Sequence, residues 1–219
     1  MRYYPVHLDI KNRNCLVVGG GAVGTRKVVT LLDCGANVTV ISPVVSQQLQ
    51  DFAISGLIEV RERSYQSGDL DGMFLVIGAT DDEGLNRQIS RDADQLNTLC
   101  NIADRPEVCN FILPAIVQRE DLVITISTSG KSPALAKKLR KTLEYQFGKE
   151  YGIFLKFMGT IRKRLLSQTH EPEAHKHLFE QLIAADLIAM IREENTDAIN
   201  SLLLEVLGEG YNFKELMQF

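Results

Sequence analysis

Three features of the chain predict an α/β fold in which a doubly wound parallel sheet is followed by a small α+β dimerisation segment and a C-terminal helical domain. A short apolar run, Leu16-Val17-Val18, stands directly before Gly19, Gly21 and Gly24. Strand-like and helix-like stretches alternate over the first hundred residues, as they do when helices cover both faces of a parallel sheet. From Tyr151 onward the chain reads as helical throughout. These features divide it into a sheet domain at 1–113, a dimerisation segment at 114–150 and a helical domain at 151–219.

The first strand is expected near 14–18 and the first helix near 22–34, with RNCLVVGGGAVG spanning their junction. In this spacing Gly19 permits a tight turn, Gly21 lets the backbone approach a pyrophosphate, and Gly24 lets the helix pack on its strand. Unpaired N–H groups at the positive helix end would then hold the phosphates, which is the Rossmann-type way of binding a dinucleotide. The next strand, ANVTVI at 36–41, is followed by Ser42 and Pro43, where an acid commonly holds the adenosine ribose. A serine can serve that hydroxyl, and no arginine follows closely to meet a 2′-phosphate, so NAD is favoured over NADP.

Further helices are expected near 45–54 and 82–95, and strands near 57–62, 73–78 and 98–102. Right-handed crossovers make this a doubly wound sheet, whose ligands lie beyond the carboxyl ends of its strands. The residues found there are the glycine loop, Ser42-Pro43, Ala79-Thr80-Asp81 and Ala103-Asp104. Asp81 and Asp82 read as helix caps. Asp104, ending LCNIAD before Arg105-Pro106, reads as either a turn aspartate or a catalytic carboxylate.

After Asp104 two β-rich runs, FILPAIV at 111–117 and LVITIST at 122–128, flank QRED. The helix that follows takes Ser132 as its N-cap and Pro133 as its first residue, with Leu135, Leu139, Leu143 and Phe147 on one face. A strand pair and a helix are too small to stand alone, so they extend the sheet or form a dimerisation element. The loop Ser127-Thr128-Ser129-Gly130-Lys131-Ser132 is either a polar turn or a donor set for an anionic substrate. It is no triphosphate loop, because Thr125 stands where a further glycine is required. Apolar stripes then mark three helices: Phe154, Met158, Ile161 and Leu165; Leu178, Leu182 and Ala185; Ile199, Leu202, Leu203 and Val206.

Bulk properties narrow the function. With 219 residues, 45% of them hydrophobic, the chain can bury a real core. A net charge of −4 argues against a nucleic-acid partner. No apolar stretch approaches the roughly 20 residues of a membrane span, and the N-terminus lacks a signal core, so a cytoplasmic protein is expected. Cys15, Cys34, Cys100 and Cys109 lack metal or disulfide spacing and are expected as buried free thiols. His170, His175 and His177, beside Glu171 and Glu173, are not spaced to share a helical face, so they are expected in a solvated linker with no metal.

Taken in order, the glycine loop, ATDD, CNxxD, FILPAIV and TSGKSPALAKKLR closely resemble the precorrin-2 dehydrogenase family, strongly over residues 1–165. The same module forms the N-terminal part of trifunctional sirohaem synthase, whose methyltransferase half this chain is expected to lack. The resemblance implies NAD-dependent removal of two hydrogens from precorrin-2 to give sirohydrochlorin; some members also insert ferrous iron. It implies a catalytic role for Asp104 and cofactor contacts at Gly21, Ala22, Val23, Ser42, Pro43, Thr80 and Asp81. A family serine near the tetrapyrrole falls on Thr128, which keeps the hydroxyl. With its neighbours Ser127, Ser129, Gly130 and Lys131 it makes a substrate-binding loop for a polycarboxylate, and the family implies a homodimer. The alternative is a regulatory NAD(H)-binding module without catalysis, which leaves Asp104 and the 127–132 loop without a task.

Overall fold

A computed structural model describes residues 3–168 and 175–218, in two compact units, Met1–Leu113 and Pro114–Phe219. The first unit is built on a parallel five-stranded sheet in the order β3-β2-β1-β4-β5. Its strands are β1 (Asn14–Gly20), β2 (Asn37–Val45), β3 (Ile58–Arg61), β4 (Leu75–Gly78) and β5 (Leu99–Ile102). The helices α1 (Ala22–Asp33), α2 (Gln47–Ile54) and α3 (Glu83–Gln95) connect them. β1 is central, and its apolar run is buried on both faces because helices cover both. Alternate residues divide between two cores. Val17, Val38, Val40 and Leu49 lie in one, and Leu16, Ile41, Val76 and Ile89 in the other.

The strand boundaries depart most from the sequence expectation at the end of β2 and in the FILPAIV run. β2 does not stop at Ile41 but continues through Ser42 and Pro43 to Val45, with a register shift against β1 between Val18 and Gly20. Pairing with β3 ends at Ile41↔Arg61, so Pro43 meets no ladder partner that needs its missing N–H. Helix α2 accordingly starts late, with the Ser46 hydroxyl accepting from Leu49 N at 3.4 Å. The FILPAIV run also divides. Phe111 packs on the first unit's core, and β6 (Ala115–Arg119) begins only after Pro114.

The outer edge of β5 is closed by side chains instead of another strand. Asn110 Oδ1 accepts from Cys100 N at 2.7 Å, and Asn110 Nδ2 donates to the Thr98 carbonyl at 2.9 Å. Asn101 Nδ2 donates to the Phe111 carbonyl at 3.1 Å. These bonds satisfy an edge that would otherwise invite pairing with another chain.

In the second unit β6 pairs antiparallel with β7 (Leu122–Ile126). The helices α4 (Pro133–Gln146), α5 (Glu150–Gln168), α6 (Lys176–Ala184), α7 (Leu187–Arg192), α8 (Thr196–Leu207) and α9 (Phe213–Leu216) follow. The expected α5 stripe is buried, and it also carries Phe157, fully buried with its ring edge-on to Phe213 at 5.0 Å. Glu150 is buried at the start of α5, where Arg192 Nε and Nη2 donate to its Oε1 at 3.0 and 2.8 Å. Burial raises its pKa, but its own backbone N–H, Arg192 and the Gly148 N–H more than reverse this, leaving it below the ordinary carboxylate range.

Burial pushes the Cys15 thiol up to about 11 and the Cys100 thiol up to about 12, as inert core cysteines require. Cys34 departs from expectation: it is exposed at the C-cap of α1, where the helix ends ahead of Gly35 at φ +73°. His170 lies outside the described residues. Among the described residues no cluster of three or more His, Cys, Asp or Glu could hold a metal, and no helix is long and apolar enough to cross a membrane.

Candidate functional site

The site forms at the carboxyl edge of the sheet, where β1 turns into α1. Gly19 sits at φ +116°, and a Cβ there would run into the Ala79 carbonyl at the end of β4. A Cβ on Gly24 would strike the Gly19 carbonyl oxygen, so this glycine permits the close packing of α1 on β1. Gly21 differs from both. It is the N-cap of α1, has no side-chain cap, and a Cβ built on it meets no atom of the described residues within 4 Å. The start of α1, whose first N–H groups belong to Ala22 and Val23, thus has no side-chain cap and open space at the Gly21 Cβ position, a helix end that suits a pyrophosphate.

The loop is braced from the side. The Thr25 hydroxyl lies 2.9 Å from the Gly21 carbonyl and 2.8 Å from the Ser46 hydroxyl, tying the start of α1 to the start of α2. Sequence reasoning missed both residues, because the tie joins positions 21 residues apart that only the fold brings together.

Ser42 is buried and its hydroxyl donates to the Val44 carbonyl at 2.7 Å, so it has only acceptor capacity left for a ribose. Pro43 is exposed beside it. At the end of β4, Thr80 Oγ1 accepts from Asp82 N at 3.1 Å, while Asn86 Nδ2 donates to the Thr80 carbonyl at 2.8 Å. Asp82 caps α3 through Leu85 N at 3.0 Å and Asp81 stays exposed, so one of the two expected caps is used. Asn86 Oδ1 is buried without a hydrogen-bond partner. The available signal for Asn86 was its place on the same helix face as Ile89, Ser90 and Ala93, an amide in an otherwise small and apolar stripe.

Asp104 lies two residues past β5 in an exposed turn at φ +59°, a conformation that aspartate tolerates better than most residues. Arg105 Nη1 stands 3.6 Å from Glu83 and 3.8 Å from Glu107, linking this turn to the start of α3. Lys27, half-buried on α1, has its pKa lowered by burial and by Arg26, and the negative charge of Asp104 partly offsets this. The structure thus gathers the glycine loop, Ser42, Thr80 and Asp104 along one edge of one unit.

The expected substrate-binding residues belong to the second unit. Ser127 Oγ accepts from Ser129 N at 3.1 Å, and Thr128 Oγ1 from Ser132 N at 3.2 Å. Ser129 and Gly130 take positive φ values, and Lys131 is exposed. The Ser127 and Thr128 hydroxyls thus use lone pairs on the backbone while each retains a proton to donate. Ser132 caps α4 through Leu135 N at 3.3 Å.

Residues 6–115 match the family model described as "Putative NAD(P)-binding", and residues 119–146 match the model for the central part of the sirohaem biosynthesis protein. The sirohaem synthase of Nitrosococcus oceani is 38% identical over 207 residues, which are 93% of this chain and 44% of that protein. That of Methylococcus capsulatus is 35% identical over 202 residues, 91% of this chain and 43% of that protein. The chain therefore spans less than half the length of these curated relatives. Among solved structures, SirC, a precorrin-2 dehydrogenase, superposes with a TM-score of 0.72 at 31% identity, covering 83% of this chain and 89% of that one.

Proposed function

Because the chain belongs to the precorrin-2 dehydrogenase family, we propose that it oxidises precorrin-2 to sirohydrochlorin with NAD as the hydride acceptor. The observation that carries this reading is the open, uncapped start of α1 at Gly21 on the same sheet edge as the Asp104 turn. NAD supplies a nicotinamide ring that takes up a hydride, so the two hydrogens leave the substrate as a hydride and a proton. Ala22 and Val23 offer N–H groups to the pyrophosphate, and Ser42 can accept from the adenosine ribose. Asn86 fixes the Thr80 carbonyl and so shapes the floor between glycine loop and α3. Asp104 takes up or relays the proton. The hydroxyls of Ser127, Thr128 and Ser129 and the Lys131 ammonium suit the carboxylates of the tetrapyrrole.

The chain acts as a homodimer in this reading. Ile116 on β6 and Leu135 and Leu139 on α4 are 41%, 47% and 40% exposed, apolar side chains that a second copy would cover. The catalytic role of Asp104 is tested by Asp104→Asn, which removes the carboxylate at an exposed position and, like aspartate, tolerates the positive φ of this turn. Turnover of precorrin-2 is expected to fall about 10²-fold or more with NAD affinity unchanged. A folded variant that oxidises precorrin-2 at the wild-type rate overturns the assignment.

A further inference from the structure

We propose that Glu59 and Asp69 set the cofactor preference of this site by occupying two arginines that would otherwise receive a 2′-phosphate. The inference rests on the dinucleotide reading above. Along the chain no arginine follows Ser42 closely, yet the fold brings one from the adjacent strand and one from the loop after it. The β2–β3 register sets Arg61 beside Ile41, one strand over from Ser42 and one residue short of it, about 5 Å away in the hydrogen-bonding direction. Arg63 follows in the loop beyond the carboxyl end of β3. Both side chains reach the surface, at 36% and 38% exposure. Guanidinium groups at this edge of a doubly wound sheet are the usual means of binding an adenosine 2′-phosphate.

Neither arginine is free to do so. Arg63 donates through Nη1 and Nη2 to the two carboxylate oxygens of Asp69, at 2.8 and 2.6 Å. Gln66 N donates to Asp69 Oδ2 at 2.8 Å, and Arg61 Nη1 lies 3.5 Å from Asp69 Oδ1. Arg61 Nε donates to Glu59 at 2.8 Å. Two cations and two carboxylates cancel, so a phosphate arriving here meets no net positive charge. Asp69, its side chain 5% exposed, already pins its loop through Arg63 and Gln66. Glu59 is 57% exposed, and beyond Arg61 it has only a 3.5 Å contact with the Thr39 hydroxyl. A second carboxylate committed to Arg61 at an exposed edge holds little structure in place; its consequence is to neutralise that charge.

The test is calorimetric titration of the full chain with oxidised NAD and with oxidised NADP, at one fixed low salt concentration, for wild type, Glu59→Gln and Asp69→Asn. Glu59→Gln keeps size and exposure, so it preserves the fold while leaving Arg61 less compensated. The ratio of NADP to NAD affinity is expected to rise about tenfold in Glu59→Gln, and Asp69→Asn to move it the same way. Adding Arg61→Gln to Glu59→Gln should return the ratio to the wild-type value. A ratio within twofold of wild type in Glu59→Gln overturns this inference while NAD binding stands. Failure of the wild type to bind either dinucleotide overturns the dinucleotide reading and this inference with it.

Discussion

Gly21 separates binding from folding more cleanly than any other residue of the loop. Its φ of −78° is ordinary for any side chain, and the space before it contains no atom of the described residues within 4 Å. A side chain there costs the fold little, but it fills the place proposed for the pyrophosphate. Gly21→Asp adds bulk and a like charge, so it should abolish NAD binding in titration while leaving the melting temperature nearly unchanged. Gly24→Ala should do the reverse, destabilising by about 1–3 kcal/mol because its methyl would push α1 off the Gly19 carbonyl. NAD affinity at the wild-type level in Gly21→Asp would contradict this account of the loop. The three glycines could be read from sequence because their spacing after an apolar run is a local motif, although the atom that Gly19 must clear, the Ala79 carbonyl, comes from a distant strand end. Thr25 could not, since its partner Ser46 lies 21 residues away and only the completed fold supplies it, while Asn86 and the Arg61–Asp69 cluster have partners nearby in the chain but no motif that marks them.

Among the elements, β1, α1 and α3 fall within a few residues of their expected bounds because their signals are local: an apolar run, a glycine turn and an Asp cap. β2 and β6 were misjudged where tertiary pairing decides the boundary. Pro43 looked like a strand end, but past the last β3 pair it costs no hydrogen bond; Pro114 looked like the middle of a strand and marks its beginning. The α4 stripe was read correctly as apolar, and the structure leaves Leu135 and Leu139 on the surface of a single chain. This face supports the proposed dimer. Leu139→Lys should therefore convert a species of roughly twice 24.5 kDa into one near 24.5 kDa by sedimentation, with the secondary structure retained. Wild-type protein that sediments as a monomer at micromolar concentration would contradict the proposal.

At the level of the whole molecule, the chain divides into two compact units between Leu113 and Pro114. Chemistry was harder to read than architecture. The position of Asp104 after a strand and before Arg105-Pro106 favoured a turn aspartate over a catalytic carboxylate when read by itself, and the ordered motifs, not the local pattern, favoured the second. The Glu150–Arg192 pair, 42 residues apart, left no trace in sequence at all. The central claim is that this chain carries NAD-dependent oxidation of precorrin-2, even though it spans less than half of the sirohaem synthases it resembles. The most direct measurement is anaerobic mixing of the purified chain with precorrin-2 and NAD, following the near-ultraviolet band of reduced nicotinamide and the visible spectrum of the tetrapyrrole together. The account predicts that reduced nicotinamide and sirohydrochlorin appear in equal amounts, at a rate proportional to the protein added. NAD bound with precorrin-2 consumed no faster than in a protein-free control would contradict it, and would make the chain a dinucleotide-binding module without this chemistry.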